Sequence, residues 1–206
     1  MNTSKSLFIL IILAAFVVCT ADKPLPEEIV LGDRVTIYLG GVAVEWMMLD
    51  DDIGISFVND ITQERKDALE RSYNLTFVKI YAVSPYTLIH YKINGEAYEK
   101  SKIISKDPLV NYAVPVFYSE KTNDCRYIED MFTIRLSGEG YFGEMNSLNG
   151  IYGVSIIAKS KGSKTYYSLK INRPDLYNAV ELSLIYMKKF YILAAAPSFY
   201  GGRYAH

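Results

Sequence analysis

Apolar positions in this chain switch between two periods, and the switch occurs twice in the same order. Ile53, Ile55 and Phe57 interleave with Gly54, Ser56 and Val58, the two-residue period of a strand with one buried face. Thr62 then stands before Gln63 to Ser72, a run of strong helix formers that places Ile61, Ala68 and Leu69 on one side. Strands over Leu75 to Tyr81 and Tyr86 to Ile93, a helix from about Glu96 to Ser105 and a strand from Leu109 to Ala113 complete the series. It then returns. Phe132, Ile134 and Leu136 open the second series, and a weaker helix containing Gly143 follows over Tyr141 to Asn149. Strands over Val154 to Lys159 and Thr165 to Ile171 come next, then a helix from Pro174, suited to a first helical turn, to about Lys188. A strand over Tyr191 to Ala195 closes it.

The two series align residue by residue. Ile55, Phe57, Leu69, Tyr73 and Leu75 fall on Ile134, Leu136, Leu148, Tyr152 and Val154, each pair 79 positions apart. Lys92-Ile93-Asn94 recurs as Lys170-Ile171-Asn172, 78 apart, and Ala97, Ser101, Ala113, Pro115, Phe117 and Tyr118 recur 82 positions on. Strand, helix, strand, strand, helix, strand is the ferredoxin-like split unit. The expected fold class is therefore α+β, with two tandem ferredoxin-like βαββαβ units at 52–120 and 128–200, each a four-stranded antiparallel sheet with two helices on one face. Phe57, Leu69, Ile89, Leu136, Leu148 and Leu169 are the expected core anchors.

The segment 22–51 reads differently. Arg34 to Leu39 and Val42 to Met48 are β-rich and joined by Gly40-Gly41, the signature of a β-hairpin that would pack on the first unit through Trp46 or extend its sheet. Asp50-Asp51-Asp52 reads as a solvated link from hairpin to first strand, because it lacks the spacing of a calcium loop. Residues 201–206 form a tail with a Gly201-Gly202 hinge.

Residues 1–21 read as a signal peptide: Lys5, an apolar run from Leu7 to Val18, and small residues ending at Ala21. That run falls short of the roughly twenty residues a membrane span needs. The chain is expected to be secreted or periplasmic, with lipid anchoring through Cys19 as the alternative. Cys125 then remains unpaired, so the core must carry stability without a disulfide. A formal net charge of −1 with interspersed signs offers no footprint for nucleic acid.

Catalytic signals are sparse. His90 and His206 are the two histidines; His90 shares a strand face with Tyr86 and Leu88 and reads as an exposed or interface residue, and His206 ends the tail. There is no phosphate loop, no nucleophile elbow, no zinc motif and no paired cysteine, so no enzyme activity, cofactor, metal or small-molecule substrate is expected. What remains is surface for recognition: Tyr86, Leu88, His90 and Tyr166 on the sheet faces opposite the helices, unless those two faces pack on each other or on the hairpin.

Residues 52–118 resemble the N-terminal propeptides of bacterial subtilisin-like serine proteases. The resemblance is carried by Ile53-Gly54-Ile55-Ser56-Phe57, by the helix ending at Leu69 before Tyr73-Asn74-Leu75, and by Asp107 to Phe117; its closing phrase returns as Ala195-Ala196-Pro197-Ser198-Phe199. It implies a protein that packs the uncovered face of its sheet on a protease and lays its C-terminal tail in the substrate cleft, as chaperone and inhibitor. The tail would be Tyr200, Gly201, Gly202, Arg203, Tyr204, Ala205 and His206. Only seven residues follow Phe199, so no catalytic domain is expected and the action would be in trans. The alternative is a structural or adhesive cell-surface protein that reuses the fold.

Overall fold

The structure is a computed structural model, and it describes residue 31 and residues 34–39, 42–83, 86–121 and 123–200. The expected leader, Cys19, the Gly40-Gly41 turn and the tail residues 201–206 lie outside the described residues. The described chain is α+β, with nine strands in one mostly antiparallel sheet and four α-helices. In chain order these are β1 (Arg34–Leu39), β2 (Val42–Phe57), α1 (Gln63–Ser72), β3 (Thr76–Val83), β4 (Tyr86–Lys92), α2 (Ala97–Ile104), β5 (Val110–Ser119), β6 (Asp124–Leu136), α3 (Phe142–Tyr152), β7 (Val154–Lys159), β8 (Tyr166–Ile171), α4 (Ala179–Met187) and β9 (Ile192–Tyr200).

The repeat seen in the sequence is matched by the pairing. In the first half β3, β4, β2 and β5 lie side by side, and in the second β7, β8, β6 and β9 do so in the same order. The irregularities recur as well. The β2·β5 ladder slips between Leu49 and Ile53 and between Ser56 and Phe57, and the β6·β9 ladder slips between Ile128 and Phe132 and between Arg135 and Leu136. Each slip lies 79 positions after its counterpart. Pro115 and Pro197, which cannot donate to a ladder, sit opposite Ile53 and Phe132, where the pairing is already interrupted.

Two separate four-stranded sheets were the expectation, and the structure corrects it. Strands β5 and β9 do not stop at Ala113 and Ala195 but run on to Ser119 and Tyr200, and β5 then pairs with the first residues of β6. That hairpin merges both halves into one sheet. β2 is likewise continuous through Asp50, Asp51 and Asp52, so the expected solvated link is strand, and Asp52 is buried. The β1·β2 hairpin forms as expected, but Trp46 stacks on Phe199 of β9, with centroids 5.5 Å apart, rather than on the first half alone.

The helices begin where local chemistry allows. Thr62 caps α1 by accepting from the Arg65 N–H. α4 starts five residues later than Pro174 suggests, because Asn178 and Glu181 form a reciprocal capping box; the turn before it is held by Arg173 and Asp175. α2 packs on β5 and β2, and α4 on β9 and β6, so equivalent helices cover equivalent strands.

All six expected anchors are buried. Ile53, Ile55, Leu69, Ile89, Tyr91 and Ile104 form one apolar cluster beneath the helices of the first half. A larger cluster joins the second half to β1, to the first part of β2 and to residues of β4 and β5. Leu69→Ala and Leu148→Ala should each lower the unfolding free energy by about 2 to 5 kcal/mol, whereas the exposed Leu193→Ala should change it by less than about 0.5 kcal/mol. Denaturant titration of the three variants checks the assignment.

Candidate functional site

The two halves differ in what they do with the sheet face opposite their helices. In the first half that face carries Gly54 and Ser56 on β2, Leu88 and His90 on β4, and Tyr112 and Val114 on β5. All six are buried, with Leu88 at 0% and His90 at 6% exposure. Leu88 and His90 therefore do not form an open docking face. The covering group on Gly54 is Tyr127 of β6: a Cβ on residue 54 would meet its ring at 3.1 Å. A glycine there makes room for the ring. The side chain of Tyr86 lies outside the described residues.

Beneath that ring is a buried polar chain. His90 Nε2 lies 2.6 Å from Asp52 Oδ1, His90 Nδ1 3.0 Å from Tyr127 Oη, and Tyr127 Oη 2.8 Å from Tyr81 Oη. Lys92 Nζ donates to Asp52 Oδ2 at 2.6 Å and to Asp51 Oδ2 at 3.1 Å. Burial pushes the His90 imidazole below its ordinary value of 6.5, against the pull of Asp52. In the neutral ring Nε2–H donates to Asp52 and Nδ1 accepts the Tyr127 proton. A protonated ring reverses the second bond, and Tyr127 then donates to Tyr81. Either state leaves the ring nitrogens satisfied, which allows a histidine to be buried here.

The acidic cluster thus divides its labour. Asp50 accepts the N–H of Glu96, a left-handed residue at φ 57° that starts α2 without a side-chain cap of its own. Lys92 beside Asp51 holds that carboxyl below the usual carboxylate range. In the second half the equivalent pair is Asp130 and Lys170, 3.5 Å apart, and burial pushes Asp130 up. Met131 and Ser168 stand where the first half has Asp52 and His90, so the polar chain occurs once.

A second buried group ties helix to helix. Glu181 Oε2 accepts the Asn178 N–H at 2.6 Å, and its Oε1 accepts from the Tyr98 hydroxyl and from Lys102 Nζ at 3.0 Å. Lys102 also lies over the Tyr98 ring, 4.3 Å from its centroid. One carboxylate thereby closes the α4 cap and binds α2 of the other half. The Asn178 and Glu181 capping box is local to α4, whereas its partners Tyr98 and Lys102 come from α2.

The corresponding sheet face of the second half is uncovered. Thr133 and Arg135 on β6, Tyr166, Ser168 and Lys170 on β8, and Ala194 and Ala196 on β9 share it. Arg135, Tyr166 and Ala194 are exposed and the other four half-buried. Tyr166 donates to Thr133 Oγ1 at 3.2 Å and sits opposite Arg135. The Arg135 side chain has no ion pair or hydrogen bond among the described residues. Of the expected binding residues, Tyr166 is on an open face, Leu88 and His90 are internal, and Tyr200 contributes its backbone to β9 opposite Tyr127. Arg135 was missed because charge on a strand reads only as a solvated position.

Among the described residues, no group of three or more His, Cys, Asp or Glu side chains could hold a metal ion, and no helix is long and apolar enough to cross a membrane. No protein-family model matches the chain, and no curated protein matches it. Among solved structures the chain is similar to the crystal structure of the acetolactate synthase small subunit from Thermotoga maritima, at 14% identity. The overlay has a TM-score of 0.27 and covers 75% of this chain and 98% of that one. At that score it carries no argument about function.

Two predictions follow from the buried face. The unfolded chain takes up the His90 proton at a higher pH than the folded one does, so stability is full above about pH 6.5 and declines as the pH falls below it. Thermal midpoints measured from about pH 8 to pH 5 should fall more steeply for the parent than for His90→Gln. Parallel curves would remove His90 as the source. Gly54→Thr, which introduces the residue found at the equivalent position of the second half, should displace the Tyr127 ring at a cost of about 1 to 3 kcal/mol, read by denaturant titration.

Proposed function

We propose that this chain is an exported, non-enzymatic protein-binding module built from two degenerate ferredoxin-like units, of which the second carries the binding face. The supporting observation is the uncovered sheet surface around Tyr166 and Arg135, beside a first half whose equivalent surface is filled by the chain's own residues. Tyrosine and arginine are the residue types that most often anchor protein interfaces, and here they stand side by side among small neighbours, Ala194, Ala196, Ser168 and Thr133. A flat surface with two tall anchors suits a partner that offers matching recesses. A guanidinium with no ion pair among the described residues favours a partner carboxylate.

The resemblance to subtilisin propeptides supplies the partner class. In that reading the second unit docks its open face on a subtilisin-like protease, and the tail Gly201 to His206, which follows Tyr200 of β9, enters the substrate cleft as an added strand, so that the chain acts as inhibitor or chaperone in trans. The first unit is a scaffold.

Inhibition of a subtilisin-like protease from the protein's own organism tests the proposal. The Tyr166→Ala, Arg135→Ala double variant should inhibit at least about tenfold more weakly than the parent with an unchanged thermal midpoint, as expected for exposed anchors. Deleting Gly201 to His206 should weaken inhibition in the same way. A parent that inhibits no such enzyme removes the protease from the reading, and equal inhibition by the double variant removes the face.

A further inference from the structure

The turn after α2 and the turn after α4 have the same backbone. The N–H groups of Lys106 and Asp107 donate to the carbonyls of Ile103 and Ile104, and that of Val110 to Asp107; Lys188, Lys189 and Ile192 repeat all three bonds 82 positions on. The side chains differ. Asp107-Pro108 of the first half becomes Lys189-Phe190 in the second, and Phe190 is 81% exposed. The turn does not need a phenylalanine, since the first half closes it with a proline.

The ring is nonetheless held in place. It packs edge-on against Tyr191 at 5.3 Å and against Tyr141 at 5.6 Å, and those two rings stack at 5.8 Å. Phe142, 45% exposed at the start of α3, packs on Tyr167. The counterparts of Tyr141 and Phe142, 79 positions earlier, are Thr62 and Gln63. Three loops meet at this end of the second half: the Ser137 N–H donates to the Tyr191 carbonyl, that of Leu136 to Thr165, and Lys164 reaches Glu139 at 3.4 Å. Charge follows the same division between the halves. Residues 137–144, 159–165 and 188–191 hold Lys159, Lys161, Lys164, Lys188 and Lys189 against Glu139 and Glu144. The matching stretches of the first half, 58–65, 80–86 and 106–109, hold Arg65 and Lys106 against Asp60, Glu64 and Asp107. The whole chain has a formal net charge of −1, so the positive excess is local to this end.

We propose that this end of the second half rests on an anionic lipid surface, with Phe190 and Phe142 entering the boundary of the acyl chains and the lysines at the level of the headgroups. Rings flanked by lysines suit that boundary: the ring leaves water while each long lysine side chain returns its ammonium group to the phosphates. The excess of lysine supplies attraction to a negative surface, and the exposed rings supply a gain that ions in solution do not. A protein partner would need more. Two rings of about 200 Å² each fall short of the about 800 Å² per partner of a stable protein interface, whereas a bilayer takes a projecting ring without offering a shaped recess. Duplex nucleic acid would use the lysines and leave Phe190 in water. A few lysines and two rings hold the protein reversibly, well short of a spanning helix.

Cosedimentation with phosphatidylcholine vesicles containing about 30 mol% phosphatidylglycerol, at about 0.1 M salt, tests the proposal. The parent should bind these vesicles at least about tenfold more tightly than vesicles of phosphatidylcholine alone, and should release as the salt is raised to about 0.5 M. Lys189→Asp with Phe190→Pro installs the residues with which the first half closes the same turn. This double variant should keep the parent's thermal midpoint and bind the anionic vesicles at least about tenfold more weakly. Phe190→Trp adds a spectroscopic readout, because the chain's single tryptophan, Trp46, is already buried. Its emission should move to shorter wavelength with anionic vesicles and stay in place with duplex DNA. A parent that ignores anionic vesicles, undiminished binding by the folded double variant, or an unshifted Phe190→Trp emission would each overturn the proposal. Duplex DNA bound more tightly than vesicles, and equally by Phe190→Ala, would assign the lysines to nucleic acid instead. The inference stands apart from the protease reading: the double variant should inhibit as the parent does, and Tyr166→Ala should bind vesicles normally.

Discussion

Tyr127 can lie on the sheet of the first half because residue 54 has no Cβ, and much of the architecture follows from that contact. With the ring in place, Leu88, His90 and Val114 are sealed from water and the first half has no open sheet face. The ring also brings a hydroxyl to His90, giving a buried imidazole the second partner it needs beside Asp52. The chain reaches this position because β5 and β6 extend past the repeat and pair as a hairpin, carrying Tyr127 from the start of the second half onto the first.

The same contact divides the labour between two halves of common pattern. Thr133 occupies the place of Gly54 in the second half, and the sheet face there stays open. Asp52 and His90 are replaced by Met131 and Ser168, as fits a surface with no buried imidazole to satisfy. The helices diverge in parallel. Glu181 takes bonds from Tyr98 and Lys102 of the other half, while its counterpart Glu99 is not among the buried acids. A carboxylate buried against a lysine and a tyrosine is costly to break, because removing one partner leaves the others desolvated and unpaired. The two halves are thus held by a polar group on each side of the sheet, Tyr127 with His90 on one and Glu181 with Tyr98 on the other.

Much of this was legible residue by residue. The period of two in Ile53, Ile55 and Phe57, the helix formers after Thr62 and the 79-residue offset identified strands, helices and their repetition, and the six anchors chosen from that pattern are buried. Errors fell where a local signal competed with a distant one. Pro174 looked like a helix start, but the Asn178 and Glu181 capping box lies deeper in the chain and joins the α2 side chains. Asp50-Asp51-Asp52 looked like a solvated link, since nothing in the sequence says that Lys92, His90 and the start of α2 converge on it. Period two says that a strand has two faces, and it names the residues on each. It does not say what lies over the second face.

The sequence by itself therefore determined the α+β character, the order of elements and the residues that face the helices, because those depend on interactions within a few positions of each residue. The tertiary structure decided that the strands form one sheet, that Trp46 stacks on Phe199, that Leu88 and His90 are internal, and that Arg135 and Tyr166 stand exposed. Each of these turns on a contact between segments far apart in the chain. The same alternation of apolar and polar residues is compatible with either face being covered, and a glycine under a distant tyrosine ring settled which one was.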